Sequence, residues 1–371
     1  MRVLFIGHYR EESGWGRAAR DYIKSLITVG VDVVCRPIII RNEAQLPDWL
    51  LECENKPSGK CDYCIQHLLP HYFSYSSNFK KTVGMFATET SSLGISNWAE
   101  YINLMDAGIV FCTDSRNACI DSNVNIPLHV IPHATDIEKY KKEREKIILS
   151  PGFKFYGIGE WHNRKNWGAI IGAFHREFDP SEPVELVLKI NAGKNVNPHD
   201  LANEVINSAN KIKTDMKLYK SINDYKPDIV LPVFLEEEEI YSLHQTCDCY
   251  VSASFGEAAN FGCLDAIGFG KFPVCTNQGG PKDMITNYST GLLVNASQSP
   301  VIGIHNTFDT LFTGHETWSS IDVVALGNRM RLAYNLLSGS YKEEIQRDSE
   351  KAIQEFSYEK IGERLVDVLK Y

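Results

Sequence analysis

Residues 1–35 read MRVLFIGHYREESGWGRAARDYIKSLITVGVDVVC. Arg2-Val3-Leu4-Phe5-Ile6-Gly7 is a short apolar run ending in glycine, the pattern of a strand buried in a parallel sheet. From Gly14 to Leu26 the apolar residues Ala18, Ala19, Tyr22, Ile23 and Leu26 recur at the spacing that lines one face of a helix. Gly30 suits the end of that helix, and Val31–Cys35 begins a second strand. Strand, helix and strand on short links make a βαβ unit. The chain is therefore expected to be α/β, with Rossmann-like, doubly wound parallel sheets covered on both faces.

The same alternation runs outward. Further strands are expected at Tyr63–Gln66, Thr82–Phe86, Gly108–Cys112 and His129–Ile131, with helices at Asn97–Leu104 and Ser115–Asp121 between some of them. The charged stretch Glu138–Lys146 reads as a solvated linker or helix between domains. A fresh alternation starts at Phe153–Gly157. It continues through the helix Trp167–Phe174 and the strands Val184–Ile190, Ile229–Leu231, Cys249–Ala253 and Phe272–Cys275. At 371 residues the chain exceeds what one core usually holds. Two domains are expected, residues 1–147 and 148–371, facing each other across a cleft, the usual place for a ligand. The amphipathic helix around Tyr358–Leu369 suits packing on either domain, including back onto the first.

Composition excludes several classes. A hydrophobic content of 43% with 23% charged residues describes a folded globular protein. The net charge of −9 argues against a nucleic-acid partner, which requires a basic surface. Residues 1–140 carry 13 Lys/Arg and 16 Asp/Glu, a net −3, so this half has no basic excess for anionic lipid. No stretch reaches the ~18–20 apolar residues of a membrane span, and the start does not resemble a signal peptide. Ten cysteines, many within apolar runs, read as reduced thiols, so a cytoplasmic location is expected. Cys53, Cys61, Cys64 and His67 have a spacing that invites a zinc reading. However, Cys64 and His67 lie in or beside a strand, where alternate residues point to opposite faces, and residues 53–60 read as a loop. No metal site is expected there.

The segment richest in chemistry is Ser254-Phe255-Gly256-Glu257-Ala258-Ala259-Asn260-Phe261-Gly262-Cys263-Leu264-Asp265-Ala266. It follows an apolar strand and precedes a helical stretch, Ala266–Gly270, and the glycine turn Gln278-Gly279-Gly280-Pro281. Two carboxylates eight positions apart, one at a strand end and one a turn into a helix, are placed to face a ligand at the carboxyl end of a sheet. The glycines permit close backbone approach, and a helix N-terminus favours phosphate. A second segment, Gly157-Ile158-Gly159-Glu160-Trp161-His162-Asn163-Arg164-Lys165-Asn166, sets a cationic pair between a strand and a helix, a place from which it can neutralise a diphosphate. A third, Gly14-Trp15-Gly16-Arg17-Ala18-Ala19-Arg20, looks like a dinucleotide fingerprint. It lies six residues beyond its strand and lacks the acidic ribose ligand after Val31–Cys35.

Taken with its flanks, the acidic segment resembles the E-x7-E region of glycosyltransferase family 4 (glycosyl transferases group 1) and its GT-B relatives. Glu257 stands in the first position and Asp265 in the second. The resemblance implies the GT-B fold, with Glu257 near the donor sugar's hydroxyls, Asp265 on the nucleotide ribose, and Phe261, Gly262, Cys263 and Leu264 along the donor. Aspartate in the second place and the displaced Phe261-Gly262 depart from the family pattern. The second segment is similar to the family's G-R-x4-K element, whose basic residues bind pyrophosphate. Lys165 matches the lysine, Glu160 occupies the arginine's place, and Arg164 is the expected substitute. Gly14 and Gly16 fit the family's glycine loop, which faces donor phosphate and acceptor. Thr88 and Glu89 fall where related chains approach the sugar's anomeric carbon, and His67 and His133 are candidates for the acceptor side. Ile131-Pro132-His133-Ala134-Thr135-Asp136 resembles the I-P-N-G-V-D element at the domain junction.

The resemblance implies a retaining hexosyltransferase that moves sugar from a nucleotide-diphosphate sugar to a saccharide or glycan hydroxyl, with Glu257, Arg164 and Lys165 as catalytic residues. No D-x-D triplet occurs in the sequence, so neither metal nor cofactor is expected, basic residues taking the cation's place. The same fold also serves sugar-nucleotide epimerases and silent nucleotide-sugar-binding proteins. Both stay open at this point.

Overall fold

The computed structural model describes residues 1–39, 45–191, 196–305 and 307–371. They form two compact units, one of Met1–Lys139, Pro300–Thr317 and Gln354–Tyr371, the other of Tyr140–Ser299 and Trp318–Ile353. The division expected at 147/148 falls at 139/140, and two later segments return to the first unit.

Among the described residues, the first unit holds a six-stranded sheet in the order β2-β1-β3-β4-β5-β6. Its strands are β1 (Arg2–Gly7), β2 (Asp32–Pro37), β3 (Tyr63–His67), β4 (Lys81–Met85), β5 (Ala107–Val110) and β6 (Leu128–Val130), every neighbouring pair parallel. The helices between them are α1 (Gly14–Thr28), α2 (Asp48–Asn55), α3 (Trp98–Ile102) and α4 (Thr113–Asp121). The apolar stripe of α1 is buried as its spacing requires, Ala18, Ala19, Tyr22, Ile23 and Leu26 all lying inside. Its start is tightly made. Ser13 caps it by accepting from the Gly16 amide at 3.3 Å, and Arg20 donates to the carbonyls of Tyr9 and Glu11 at 3.0 and 2.9 Å.

The second unit repeats the plan with β7 (Phe153–Glu160), β8 (Val184–Asn191), β9 (Ile229–Leu231), β10 (Cys249–Ser252), β11 (Val274–Thr276) and β12 (Leu292–Val294), in the order β12-β11-β10-β7-β8-β9 and all parallel. Its helices are α5 (Trp167–Glu177), α6 (Pro198–Met216), α7 (Glu237–Thr246), α8 (Phe261–Gly268), α9 (Gly279–Met284), α10 (Val323–Ser338) and α11 (Lys342–Ala352). Alternation on β8 sends Val184, Leu186, Leu188 and Ile190 into a core with Phe155, Ile171, Phe174 and Met330. The acidic run Glu236–Glu239 opens α7, where Glu236 and Glu239 form a reciprocal capping box. The helix expected at Ala266–Gly270 begins earlier, at Phe261, because the Asn260 side chain caps it by accepting from the Cys263 amide at 3.0 Å. Two strands, β13 (Ala296–Pro300) and β14 (Thr317–Ile321), pair where the chain leaves and re-enters this unit.

The last helix, α12 (Tyr358–Lys370), belongs to the first unit. It buries Ile361, Leu365, Val368 and Leu369, and docks on α1, with the Tyr358 hydroxyl donating to Asp21 at 2.8 Å. Lys81 donates to the Val368 carbonyl at 2.9 Å, and the Thr135 amide to the Phe356 carbonyl at 2.8 Å. All ten cysteines are free and buried. Among the described residues, no group of three His, Cys, Asp or Glu side chains gathers to hold a metal ion, and no helix is long and apolar enough to cross a membrane.

Gly362 lets α12 approach α1, since a Cβ there would run into the Ser25 carbonyl. Gly362→Ala is expected to destabilise the protein by ~1–3 kcal/mol, the range for overpacking a close contact, as measured by denaturant titration.

Candidate active site

In a doubly wound sheet a crevice opens at the carboxyl ends of the two strands from which the chain departs in opposite directions. In the second unit those strands are β7, beside β8 and β9, and β10, beside β11 and β12. The loops leaving β7 and β10 carry the two sequence motifs, and they meet.

Beyond β7 the chain makes a compact turn. The Trp161 amide donates to the Asn191 carbonyl at 2.8 Å, His162 Nδ1 accepts from the Arg164 amide at 3.2 Å, and Asn166 takes a left-handed φ of 52° before α5. This turn sets Arg164 and Lys165 against the loop after β10. The Lys165 ammonium donates to Glu257 Oε1. Arg164 Nη1 lies 3.4 Å from Glu257 Oε2 and donates to the Gly256 carbonyl at 2.5 Å. The Arg164 carbonyl in turn accepts from the Phe255 amide at 2.9 Å. Glu160, in the place of the family arginine, is exposed at the end of β7.

Glu257 is buried and held on its other sides too. Ser254 Oγ donates to Oε1 at 2.9 Å, and the Glu257 amide faces Gln278 Oε1 at 3.4 Å. The Gly280 amide donates to the Glu257 carbonyl at 3.0 Å, and a Cβ on Gly279 or Gly280 would collide with the carbonyls of Glu257 or Ala259. Phe255 stacks on Trp318 at 4.6 Å, backed by the Ser319 amide donating to the Phe255 carbonyl at 2.8 Å. Sequence reasoning does not single out Ser254, Gln278 or Trp318. Ser254 and Gln278 flank strand ends beside the motif, a usable signal, whereas Trp318 is 63 positions from Phe255 and has none.

The rest of the acidic segment is more enclosed than its spacing suggests. Asp265 is only 1% exposed and accepts from the Tyr140 hydroxyl at 2.8 Å. Cys263 and Leu264 are buried beside it, while Phe261 and Gly262 stay partly exposed in the first turn of α8. Gly262 is required there, since a Cβ would meet the Tyr250 ring.

The remaining candidates lie at the carboxyl end of the first sheet. Gly14 is exposed at the start of α1, and Gly16 is buried against the Glu11 carbonyl, which leaves no room for a Cβ. Thr88 is buried, its carbonyl accepting from Ser115 Oγ at 2.7 Å, and Glu89 is half-buried. His67 is fully buried at the end of β3, and His133 Nδ1 lies 3.0 Å from the Tyr22 hydroxyl.

Burial alone would raise the Glu257 pKa, but the Lys165 ammonium and Arg164 guanidinium outweigh it and hold the carboxyl at about 2. A depressed folded pKa contributes stability above the unfolded value, near ~4.3, and loses it as pH falls toward the folded value. Glu257→Gln is expected to cost ~2 kcal/mol at neutral pH, below the ~3–5 of a fully buried pair because both cations keep some water. That deficit, read from thermal unfolding of both proteins, is expected to shrink as pH falls from about 4 toward about 2.

Residues 212–302 match the family model of Glycosyl transferases group 1, a stretch that contains both acids but not the Arg164–Lys165 turn. No curated protein matches the chain by sequence. Among solved structures, Anabaena HepE in complex with UDP aligns over 100% of this chain and 99% of its own, with a TM-score of 0.64 and 14% identity. A glycosyltransferase from Rickettsia africae aligns over 100% and 97%, at 0.66 and 12%. The E. coli trehalose-6-phosphate protein bound with UDP-2-fluoro glucose aligns over 100% and 99%, also at 0.66 and 12%. The fold is thus that of the GT-B glycosyltransferases, and residues 212–302 of the chain carry the pattern of the Glycosyl transferases group 1 family.

Proposed function

We propose that this glycosyltransferase moves a sugar from a nucleotide-diphosphate sugar to a hydroxyl of a saccharide or glycan, in the cytoplasm, with retention at the anomeric carbon and without a metal ion. The observation that carries the proposal is the Arg164–Lys165–Glu257 cluster at the switch point of the second sheet.

Both cations rest on Glu257. An incoming diphosphate competes for them, the planar guanidinium suiting two phosphate oxygens and the ammonium one. Glu257, still held by Ser254, is then released to accept from the sugar's hydroxyls, which orients the ring. As the bond between the anomeric carbon and the phosphate oxygen breaks, its electrons pass to the diphosphate. Arg164 and Lys165 stabilise that growing charge. The acceptor oxygen bonds to the same face, and its proton goes to the leaving phosphate. The ribose contact is assigned to Asp265, with Tyr140 fixing its orientation. Gln278, beside the Glu257 amide, adds a carboxamide near the sugar.

Similar structures were determined with UDP and UDP-2-fluoro glucose, so uridine diphosphate is the first nucleotide to test. Calorimetric titration of UDP, GDP and ADP in EDTA is expected to show binding of one of them in the ~1 μM–1 mM range. Binding only after magnesium or manganese is added would overturn the metal-free assignment. Donor binding without product on any added acceptor would indicate a binding protein, and an epimerised donor an epimerase. Lys165→Ala is expected to lower transfer at least ~100-fold, the scale for losing one electrostatic stabiliser. A near wild-type rate would remove Lys165 from the mechanism.

A further inference from the structure

The first sheet has a switch point of its own, between β1 and β3, since β2 lies to one side of β1 and β3–β6 to the other. His67 ends β3 there and is the register partner of Gly7, the last residue of β1. It is fully buried, and among the described residues neither Nδ1 nor Nε2 has a hydrogen-bond partner. A neutral imidazole carries one donor and one acceptor, and burying both unpaired is costly. Burial, with His133 and His8 nearby, keeps this ring neutral. The neighbouring histidines are different: His133 pairs with the Tyr22 hydroxyl at 3.0 Å and His8 with the Ile38 carbonyl at 3.0 Å.

The rings around His67 are Trp15 at 4.8 Å, Phe111 at 5.9 Å, Tyr22 at 6.0 Å and Phe5 at 6.2 Å. Phe5, Tyr22 and Phe111 are buried core, whereas Trp15 is half-exposed, so the indole is the ring that reaches solvent. It belongs to the Gly14-Trp15-Gly16 turn and lies over the imidazole at an interplanar angle of 32°.

We infer that Trp15 is a displaceable cover over a saccharide subsite whose polar floor is His67. A pyranose moves the indole aside, gives a ring nitrogen of His67 a hydroxyl partner, and stacks a C–H face on the indole. This deepens the transferase reading above and rests on it for the sugar's role as acceptor. A hydroxyl both donates and accepts, so it satisfies either imidazole tautomer. The occupant is a neutral sugar, because the basic side chains of the same segment are already engaged. Arg10 pairs with Glu54, Arg17 with Asp21, and Arg20 with backbone carbonyls.

The test is carbethoxylation of histidines by diethyl pyrocarbonate on the full chain, mapped by peptide mass spectrometry. In the wild type His67 is expected to react far more slowly than exposed His199. In Trp15→Ala it is expected to react at least ~10-fold faster, as removal of a local cover requires. Buried His133 and His244 stay unreactive if the variant is folded; if they react, Trp15→Phe and Trp15→Leu replace it. Glucose, galactose, mannose and N-acetylglucosamine at ~100 mM, enough for weak monosaccharide binding, are added in turn, with sorbitol as the open-chain control. At least one pyranose is expected to protect His67 in the variant. A wild-type measurement independent of the variants is the 15N-histidine spectrum, in which the same pyranose shifts the His67 ring nitrogens and sorbitol does not. A His67 that stays unreactive without the indole overturns the cover. Indifference of both readouts to every pyranose overturns the subsite. Nucleotide binding on the same samples separates the two readings: a nucleotide that binds while no pyranose acts refutes the subsite alone, and the reverse refutes the donor site alone.

Discussion

A single buried carboxylate between two cations organises the second unit's chemistry. Glu257 joins loops from two strands that diverge in sequence, because Arg164 and Lys165 leave β7 and Glu257 leaves β10. Remove that charge and the two loops lose their strongest mutual attraction in a place where water screens little. The backbone reinforces the same join, with the Phe255 amide on the Arg164 carbonyl and the Gly280 amide on the Glu257 carbonyl. The cluster is therefore both a structural clamp and a stored arrangement of charges. An anion that draws the cations away exchanges one electrostatic partner for another without creating the positive site anew, which is the preorganisation that electrostatic stabilisation needs.

The two switch points are managed in opposite ways. In the second sheet the polar groups satisfy each other, Lys165 and Arg164 with Glu257, and Ser254 with the same carboxylate. In the first, His67 is enclosed by rings and its nitrogens have no partner among the described residues. One site resembles a closed circuit and the other an open one. The difference follows from residue type: charges at the end of β7 must find counter-charges when buried, whereas a neutral imidazole is tolerated in an aromatic nest at a lower cost.

Much of this was legible in the chain. Period-two and period-3.6 patterns located the strands of the first sheet and all but β12 of the second, because parallel strands and their covering helices leave strong apolar runs at Arg2–Gly7, Val184–Asn191 and Gly14–Thr28. Arg164, Lys165 and Glu257 were each expected beside the donor, but their direct pairing with one another was not. The second acid was less readable. Asp265 is enclosed and bonded to Tyr140, a partner 125 positions away whose hydroxyl no local pattern announces. Gly16 was assigned to ligand approach, yet its lack of a side chain is already required by the Glu11 carbonyl. The helices α2, α6, α9, α10 and α11 were missed, α2 reaching into the stretch from Cys53 that reads as a loop, and so was the return of residues 300–317 to the first unit, since contacts of that separation leave no periodic trace.

The docking of α12 on α1 has a consequence for how the protein is made. A chain emerging from the ribosome N-terminus first presents α1 early, but α12, which docks on it, is made only after every segment of the second unit. The second unit, nested inside the first in sequence, has all its segments by Ile353 and completes before its host. Until then the face of α1 that carries Asp21, Ser25 and Val29 lacks its cover, which leaves the nascent first unit exposed to chaperones and to aggregation. A ribosome that stops just after Ile353 would thus release a finished second unit on an unfinished first, a product that quality control can recognise by its bare helix.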